Sequence, residues 1–330
     1  MTKKRPFLRH PRPLGGDTAR STRSSSLFDL SSNVLNNGQI QRLIQPRKPS
    51  WIRAQIPGGQ KYEAMRANME KHHLNTVCQE ASCPNIADCW SRGTATIMIL
   101  GDICTRSCGF CNVKTGKPSP PDFDEPKNVG KSVSLMNLTH IVITCVDRDD
   151  LADGGASQWA ETIREVNKHA PKTSVEALVG DFQGDYSALQ VVIDAKPHIL
   201  AHNLETVQRM HSAVRPQARY ERSLEVLSYI QKAGLTSKTS IMVGIGETDA
   251  EVFETLSDIR EQANTEILTI GQYLQPTRNH LPVDRWVHPD MFKAYKEEGL
   301  KLGFRVIESG PLVRSSFHAE EQVRQFETIQ

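Results

Sequence analysis

The sequence predicts an α/β fold in which a mostly parallel sheet curves into a partial TIM-type barrel, written (β/α)6. Six apolar, β-rich segments alternate with helical patterns between residues 95 and 302. Three cysteines follow the first of these segments, where the active-site loops of a barrel lie. A chain of 330 residues accommodates such a barrel with extensions at both ends. A doubly wound sheet is the competing topology, because hydrophobic periodicity alone does not separate the two.

The predicted strands and helices alternate, which is the pattern of a parallel sheet with right-handed crossovers. The strands lie at 95–100, 140–146, 174–179, 198–203, 239–244 and 266–273. The helical patterns lie at 62–73, 158–169, 186–195, 204–214 with 221–233, 250–263 and 290–302. We therefore predict four regions: a disordered basic tail (1–50), an N-terminal extension (51–93), the partial barrel (94–305) and a C-terminal extension (306–330).

The composition is that of an ordinary globular enzyme, with 24% charged residues, 6% aromatic residues and a net charge of +2. This net charge argues neither for nor against a charged partner. No apolar run reaches the ~20 residues that cross a bilayer. We expect neither a membrane nor a nucleic acid as a partner.

The first fifty residues are rich in Arg, Lys, Ser and Pro and show no hydrophobic period. This composition is typical of a disordered tail. An organelle transit peptide is one alternative, and a basic arm for an acidic partner or nucleic acid is another. Because Pro6, Pro11 and Pro13 interrupt any amphipathic helix, we favour the cytoplasm over a mitochondrial or plastid matrix.

Six of the seven cysteines form two sets of three: Cys78, Cys83 and Cys89, then Cys104, Cys108 and Cys111. Clustered cysteines in a large chain indicate metal ligation in a reducing compartment. Structural zinc sites normally close with four ligands, whereas a site that does chemistry keeps one position open. A cubane cluster held by three thiolates leaves one iron free for a small molecule. The seventh cysteine, Cys145, has apolar neighbours, which predicts a buried core thiol.

The spacing Cys-x3-Cys-x2-Cys after the first strand resembles the radical S-adenosylmethionine (SAM) superfamily. With Cys-x4-Cys-x5-Cys upstream, the chain closely resembles the lipoyl synthase family from about Trp51 to its C-terminal region. Four stretches support the likeness: 77–86, 147–156, 202–207 and 314–319. The resemblance implies S-adenosyl-L-methionine and two [4Fe–4S] clusters as cofactors. The second thiol set would hold the radical SAM cluster and the first an auxiliary cluster.

The resemblance also implies a fourth ligand, because a serine of the family's C-terminal Arg-Ser-Ser-Tyr-x-Ala motif binds the auxiliary cluster. By position that serine is Ser316, with Ser315 as the second choice. The two extensions would thus hold this cluster together. Phe317 stands where the family usually has Tyr, which removes a hydroxyl. Since iron–sulfur clusters prefer thiolates, we hypothesise that a serine oxygen makes one corner of the cluster labile.

The implied reaction inserts two sulfur atoms at carbons 6 and 8 of an octanoyl chain carried on a lysine of a lipoyl carrier domain. Unactivated C–H bonds offer no acidic proton, so a cofactor-derived radical must start the reaction. In the family a 5′-deoxyadenosyl radical does so, and the auxiliary cluster donates the sulfur. The implied partners are octanoylated E2 subunits of 2-oxoacid dehydrogenases, the glycine-cleavage H protein, a ferredoxin- or flavodoxin-type electron donor, and an iron–sulfur carrier protein that rebuilds the auxiliary cluster.

Candidate SAM-binding groups lie at or near the predicted strand ends. They are Thr144, Asp147, Glu176, Asn203 and Gly244. Gly244 belongs to a strand that resembles the family's adenine-lining segment.

Two cations, Arg106 and Lys114, flank the second thiol set, where positive charge would raise the reduction potential of a negatively charged cluster. Two other functions stay open. One is a radical SAM enzyme with a different substrate. The other is a non-catalytic zinc-binding protein whose basic tail binds nucleic acid.

Overall fold

The structure, a computed structural model, describes residues 47–53, 58–71, 75–76, 78 and 83–329. The predicted basic tail falls outside these residues apart from positions 47–50. The described strands are β1 (Asn75–Thr76), β2 (Thr94–Ile99), β3 (Ile103–Cys104), β4 (Lys114–Thr115), β5 (His140–Cys145), β6 (Ser174–Leu178), β7 (Ile199–Ala201), β8 (Thr236–Val243), β9 (Ile267–Gln272) and β10 (Val306–Gly310).

The described helices surround this sheet and alternate with its strands. They are α1 (Gln60–Lys71), α2 (Ile86–Arg92), α3 (Glu125–Met136), α4 (Ala156–His169), α5 (Tyr186–Asp194), α6 (His211–Val214), α7 (Tyr220–Lys232), α8 (Asp249–Asp258), α9 (Pro289–Leu302) and α10 (Ala319–Ile329). Within the ranges given above, none of them has the length and apolar character that crossing a membrane requires.

The strand order decides between the two predicted topologies. In the described residues the main sheet has the order β1-β2-β5-β6-β7-β8-β9-β10, and only β1 pairs antiparallel. From β2 onward each strand adds to the same side, whereas a doubly wound sheet reverses direction at a switch point. The partial barrel is therefore confirmed. The loops at the C-terminal ends of its strands form one mouth, which is where barrel enzymes place their active sites.

Helix α3 follows β2 but is not predicted by the sequence patterns. Gly130 in its interior weakens the helical pattern, whereas Pro126 is tolerated because it lies in the first turn. The structure gives a reason for the glycine. A Cβ at Gly130 would lie 2.6 Å from the carbonyl oxygen of Glu165 in α4, so only glycine lets the two helix backbones approach this closely.

The helix predicted at 204–214 is wrong over its first part. Glu205 has φ of +70° and forms a parallel bridge with Ile241 of β8. Its backbone N–H donates to the carbonyl oxygen of Ser240 at 2.9 Å. Helical backbone begins only at a short 3-10 turn, Gln208–Met210, and continues into α6. The segment after β7 is therefore a fixed loop at the barrel mouth.

The sheet also has a seventh parallel strand, β10, which pairs with β9 from Val306 to Gly310. The predicted boundary at 305/306 falls at the start of this strand, so the sheet continues into the region named as the C-terminal extension. Residues Ile44–Gln330 group as one compact unit. The four regions themselves stay predictions.

The chain that follows β10 folds back over the end of the barrel at a pair of glycines. Gly271 and Gly310 are partners in the β9–β10 register. A Cβ at Gly271 would lie 2.0 Å from the carbonyl oxygen of Val313. The neighbouring Arg314 guanidinium donates through Nη1 to the carbonyl oxygen of Gln272 at 3.2 Å. The missing side chain at Gly271 thus makes room for the C-terminal segment.

We expect Gly271→Ala to lower the free energy of unfolding by about 1–3 kcal/mol, because the new methyl group collides with backbone that must move. Gly310→Ala is the matched control, since a Cβ there meets only Val313 Cγ2, at 3.4 Å. Chemical unfolding of the two apoproteins measures the difference. Equal stability of the two variants would contradict the close packing at Gly271.

Candidate iron–sulfur sites

The loop between β3 and β4 carries the second thiol set and is fixed to three other loops at the barrel mouth. Thr105 N–H donates to the carbonyl oxygen of Asp147 at 3.0 Å, after β5. Gly109 N–H donates to the carbonyl oxygen of Val214 at 2.9 Å, at the end of α6. The N–H of Leu281, after β9, donates to the carbonyl oxygen of Gly109 at 3.0 Å. These bonds place the thiols of Cys104, Cys108 and Cys111 where the prediction expects them to lie.

The environment of these thiols fits cluster ligation. Cys104 Sγ accepts from the backbone N–H groups of Arg106 at 3.4 Å and Asp147 at 3.3 Å. Burial raises the pKa of Cys108 to about 12, and burial raises that of Cys111 to about 11. Without a metal these thiols therefore stay protonated. A positively charged iron core would stabilise three neighbouring thiolates. N–H donors aimed at sulfur are typical of iron–sulfur sites.

Arg106, between the first two cysteines of this loop, is buried among three carboxylates. Its guanidinium, 2% exposed, donates to Asp149 through Nε and Nη2 at 2.8 Å each, and to Asp181 Oδ1 at 2.6 Å. Asp147 Oδ1 lies 3.7 Å from its Nη1. Asp181 is also bound by Arg222, at 3.2 Å. This Arg106 clamp joins the thiol loop to the loops after β5 and β6, and the carboxylates offset the positive charge predicted to act on the cluster.

The first thiol set lies at α2, which contains Cys89, and next to β2. Hydrogen-bond donors face these thiols as well. Burial raises the pKa of Cys78 to about 11, and hydrogen bonds from Thr96 and the proximity of the Trp90 side chain oppose that rise. Burial also raises the pKa of Cys83, opposed by the Asn85 N–H. The buried Trp90 Nε1 has no hydrogen-bond partner of standard geometry within the described residues. A cluster sulfide or thiolate beside Cys78 would accept from it, so this donor set also fits an iron–sulfur cluster.

The C-terminal segment reaches the same thiols. Arg314 lies close enough to Cys83 that its charge opposes the rise in the pKa of that thiol, which burial causes. Burial raises the pKa of Cys89 to about 12, and the His318 N–H opposes this rise. Ser316 lies between Arg314 and His318 in the chain and is half-buried. The structure thus brings the residues on either side of Ser316 close to Cys83 and Cys89, while the role of Ser316 as a ligand stays a prediction.

Of the five candidate SAM contacts, Asp147 contacts the thiol loop, and Asn203 lies in the loop after β7. Asp147 Oδ2 is 4.0 Å from Cys104 Sγ. Asn203 Nδ2 donates to Glu205 Oε1 at 3.0 Å, while its buried Oδ1 has no partner in the described part of the chain. Thr144, at the end of β5, donates through its hydroxyl to the carbonyl oxygen of Leu178 at 3.1 Å. Asn203 therefore has an unused acceptor at the barrel mouth.

The other two candidate SAM contacts, Glu176 and Gly244, have contacts within the protein that explain why these residue types are present. Glu176 is fully buried in the sheet, with Lys238 Nζ at 2.8 Å and His140 Nε2 at 3.6 Å from its Oε2. Gly244 has φ of +91°, and a Cβ there would lie 2.4 Å from the carbonyl oxygen of Arg285. Contact of either residue with SAM stays a prediction.

Glu205 is a candidate that sequence reasoning missed. Its carboxylate lies near enough to Cys108 and Cys111 to raise the pKa of both thiols, after the larger effect of burial. Its backbone φ of +70° is strained for a residue with a side chain, and such strain concentrates at functional sites. The only sequence signal was its place in the 202–207 stretch.

Among the residues that the structure describes, no three His, Cys, Asp or Glu side chains surround one point as ligands of a single ion. A structural zinc site requires four ligands around one metal, whereas thiolates on a cubane bind irons at separate corners. All seven cysteines are free, and Cys145 packs against the core but is only half-buried, whereas the prediction was a buried thiol.

Comparison with known proteins agrees with this chemistry. Residues 98–259 match the model of the Radical SAM superfamily, and residues 18–83 match that of the N-terminal domain of lipoyl synthase of the radical SAM family. Lipoyl synthase from Flavobacterium johnsoniae is 50% identical over 85% of this chain and 97% of its own. The lipoyl synthase from Bacteroides fragilis is 52% identical over 84% of this chain and 96% of its own. The mitochondrial lipoyl synthase of Nematostella vectensis is 49% identical over 87% of this chain and 99% of its own.

Among solved structures, SuiB from Streptococcus suis bound to S-adenosylmethionine superimposes with a TM-score of 0.53. The match covers 76% of this chain and 56% of SuiB at 10% identity, so it shows the fold alone. The relatives, by contrast, match at about half of all positions along most of the chain. S-adenosylmethionine and [4Fe–4S] clusters, the auxiliary one included, are accordingly its cofactors. The chain belongs to the lipoyl synthase family, the sulfurtransferases of the radical SAM superfamily.

Proposed function

We propose that this protein inserts sulfur at carbons 6 and 8 of an octanoyl chain on a lysine of a lipoyl carrier domain, with the auxiliary cluster as sulfur donor. Lipoyl carrier proteins are the substrates that membership of the family implies. One observation carries the finer proposal. Two sets of three thiols lie in one compact unit, and the segment with Ser316 reaches the first set through Arg314 and His318.

When bound, SAM and the iron–sulfur clusters supply the radical that attacks unactivated C–H bonds and the sulfur that replaces hydrogen. The residues of the chain hold the cofactors, orient the substrate and exclude water. In this proposal Cys104, Cys108 and Cys111 hold the radical SAM cluster. Cys78, Cys83, Cys89 and Ser316 hold the auxiliary cluster.

The polar groups at the barrel mouth are the proposed SAM contacts. Asp147 adjoins Cys104 of the thiol loop, and Asn203 Oδ1, which has no partner within the described residues, offers an acceptor to an amino or hydroxyl group. Glu205 adds a carboxylate beside the thiols of Cys108 and Cys111. Thr144 lies at the end of β5, next to these groups in the sheet.

The partners follow from the chemistry. A low-potential donor of the ferredoxin or flavodoxin type would reduce the radical SAM cluster, and an iron–sulfur carrier protein would rebuild a consumed auxiliary cluster. E2 subunits of 2-oxoacid dehydrogenases and the glycine-cleavage H protein would present the octanoyl chain. We place the reaction in the cytoplasm, with an organelle matrix as the alternative.

The function is tested with an octanoyl-lysyl peptide, SAM and a low-potential reductant. We expect about eight irons per chain after anaerobic reconstitution, and a lipoyl-lysyl product by mass spectrometry. The variant with Cys104, Cys108 and Cys111 all changed to Ala is the control and should give no product. 5′-Deoxyadenosine without thiolated peptide would point to another radical SAM reaction. Stoichiometric zinc in place of iron would contradict the proposal altogether.

The serine assignment is tested by comparing Ser316→Ala with Ser315→Ala. We expect Ser316→Ala to form 5′-deoxyadenosine but to lose at least about tenfold of the lipoyl product, because the auxiliary cluster has lost an iron ligand. Ser315→Ala should keep most of its activity. Product formation and iron content are measured together. The reverse ranking would move the ligand to Ser315, and full sulfur insertion by Ser316→Cys would remove the argument that an oxygen ligand makes the cluster labile.

Because Arg106 is buried among carboxylates, we expect its substitution to lower the stability of the protein strongly. Arg106→Gln leaves buried carboxylates without their cation, which should lower the free energy of unfolding by about 3–5 kcal/mol. Lys114→Gln, on the same loop, should cost less than about 1 kcal/mol, because the Lys114–Asp102 pair is exposed. Denaturant unfolding of the apoproteins measures both. A small effect at Arg106 would show that the clamp does not fix the thiol loop.

A further inference from the structure

The segment that carries Ser316 is anchored at both ends to the element that carries Cys89. At one end, Asn85 Nδ2 donates to the carbonyl oxygen of Leu312 at 2.6 Å. At the other end, the Thr94 hydroxyl donates to Glu320 Oε2 at 2.7 Å, and Glu320 is only 7% exposed. Asn85 and Thr94 flank α2 on either side. The segment 312–320 therefore lies along α2 from one end to the other.

Between these anchors, the middle of the segment is held by Asp88 of α2. Asp88 Oδ2 lies 2.6 Å from His318 Nε2, and its Oδ1 accepts from Arg92 Nε at 3.2 Å. A carboxylate accepts hydrogen bonds, so Nε2 carries the proton. Arg92 also pairs with Glu321, at the start of α10. Side chains of α2 and of the C-terminal segment thus meet in two pairs, Asp88 with His318 and Arg92 with Glu321.

His318 is attached to α2 at two points. Its ring meets Asp88, and its backbone N–H faces the thiol of Cys89, the next residue along the helix. Its φ of +50° is a conformation that residues with side chains rarely adopt, so it needs such support. The phenyl ring of Phe317 stacks on the imidazole at 3.8 Å and 21°. Together these contacts fix the direction of the backbone at residue 318.

The orientation of His318 is transmitted to Ser316 by a tight turn. Phe317 N–H donates to the carbonyl oxygen of Arg314 at 2.9 Å. Gln322 Nε2 donates to the carbonyl oxygen of Phe317 at 2.8 Å. Phe317 has no hydroxyl with which to hold this turn itself. These two hydrogen bonds fix the backbone between Ser316 and His318.

We infer that Asp88 is a positioning residue, whose carboxylate acts through His318 to keep the Ser316 hydroxyl directed at the auxiliary cluster. This inference rests on the proposed role of Ser316 as a ligand. Asp88, Arg92 and Glu321 are 31%, 40% and 43% exposed, and exposed ion pairs are individually weak. The middle of the segment is thus held by contacts that open easily, while its two ends stay anchored. Such a hold lets the serine leave a cluster that must be dismantled, without unfolding the barrel.

The test uses the full chain with Cys104, Cys108 and Cys111 changed to Ala, so that reconstituted iron reports only the auxiliary cluster. Iron release to a chelator is timed for Asp88→Ala, Ser316→Ala and the double variant. We expect Asp88→Ala to release iron about threefold to fivefold faster, the range that an exposed ion pair provides. Asp88→Asn keeps an acceptor for His318 and should stay within about twofold of the parent. Glu70→Ala removes a comparable exposed pair with Arg66 on α1 and should change nothing.

The double variant separates the inference from the assignment on which it rests. If Ser316→Ala speeds release and Asp88→Ala adds nothing to it, Asp88 acts through the serine. If Ser316→Ala has no effect, the serine assignment itself fails. If Asp88→Ala is silent, or speeds release equally with and without Ser316, the inference is overturned. Mössbauer spectra of iron-57 protein give a second readout, since the fraction of oxygen-ligated iron is expected to be lower in Asp88→Ala than in the parent and in Asp88→Asn.

Discussion

The burial of Arg106 among carboxylates is the interaction on which the barrel mouth depends. A guanidinium that is 2% exposed has lost nearly all its hydration, and such a group is tolerated only where well-placed acceptors replace water. Asp149 and Asp181 come from loops that follow different strands, so the thiol loop cannot shift without breaking both contacts. Ion pairs between loops therefore fix the geometry of the radical site, and the sheet holds the ends of these loops in place.

The same cluster of charges influences the electrostatic potential at the radical site. Asp147, Asp149 and Asp181 outnumber the two arginines, Arg106 and Arg222, that bind them. Negative charge near an iron–sulfur cluster lowers its reduction potential, while N–H donors to sulfur raise it. A strongly reducing cluster is what cleavage of a sulfonium requires. These carboxylates therefore offset the charge of Arg106, while Arg215 is the charge that acts most strongly on the thiol of Cys108.

Local patterns predicted the parts that depend on nearby residues, namely the parallel strands and both thiol sets. They failed where distant residues decide the conformation. Gly130 weakens the pattern of α3, yet it is required by the approach of α4. Glu205 reads as helical, yet its bridge to Ile241 holds it at positive φ. The partners of Arg106 were equally invisible, because a sequence shows an arginine and several aspartates without showing that they meet.

The course of the chain after β10 also sets the order in which the protein can be completed. The C-terminal segment crosses the barrel at Gly271 and Gly310, so it has a place to lie only after β9 and β10 have paired. Contacts between residues so distant in sequence form late, because a large loop must close before they give any stabilisation. A nascent chain that ends before β10 already contains all six cluster cysteines but not the serine. With Ser316 as the proposed fourth ligand, the auxiliary site is therefore the last part of the molecule to be finished, after the barrel.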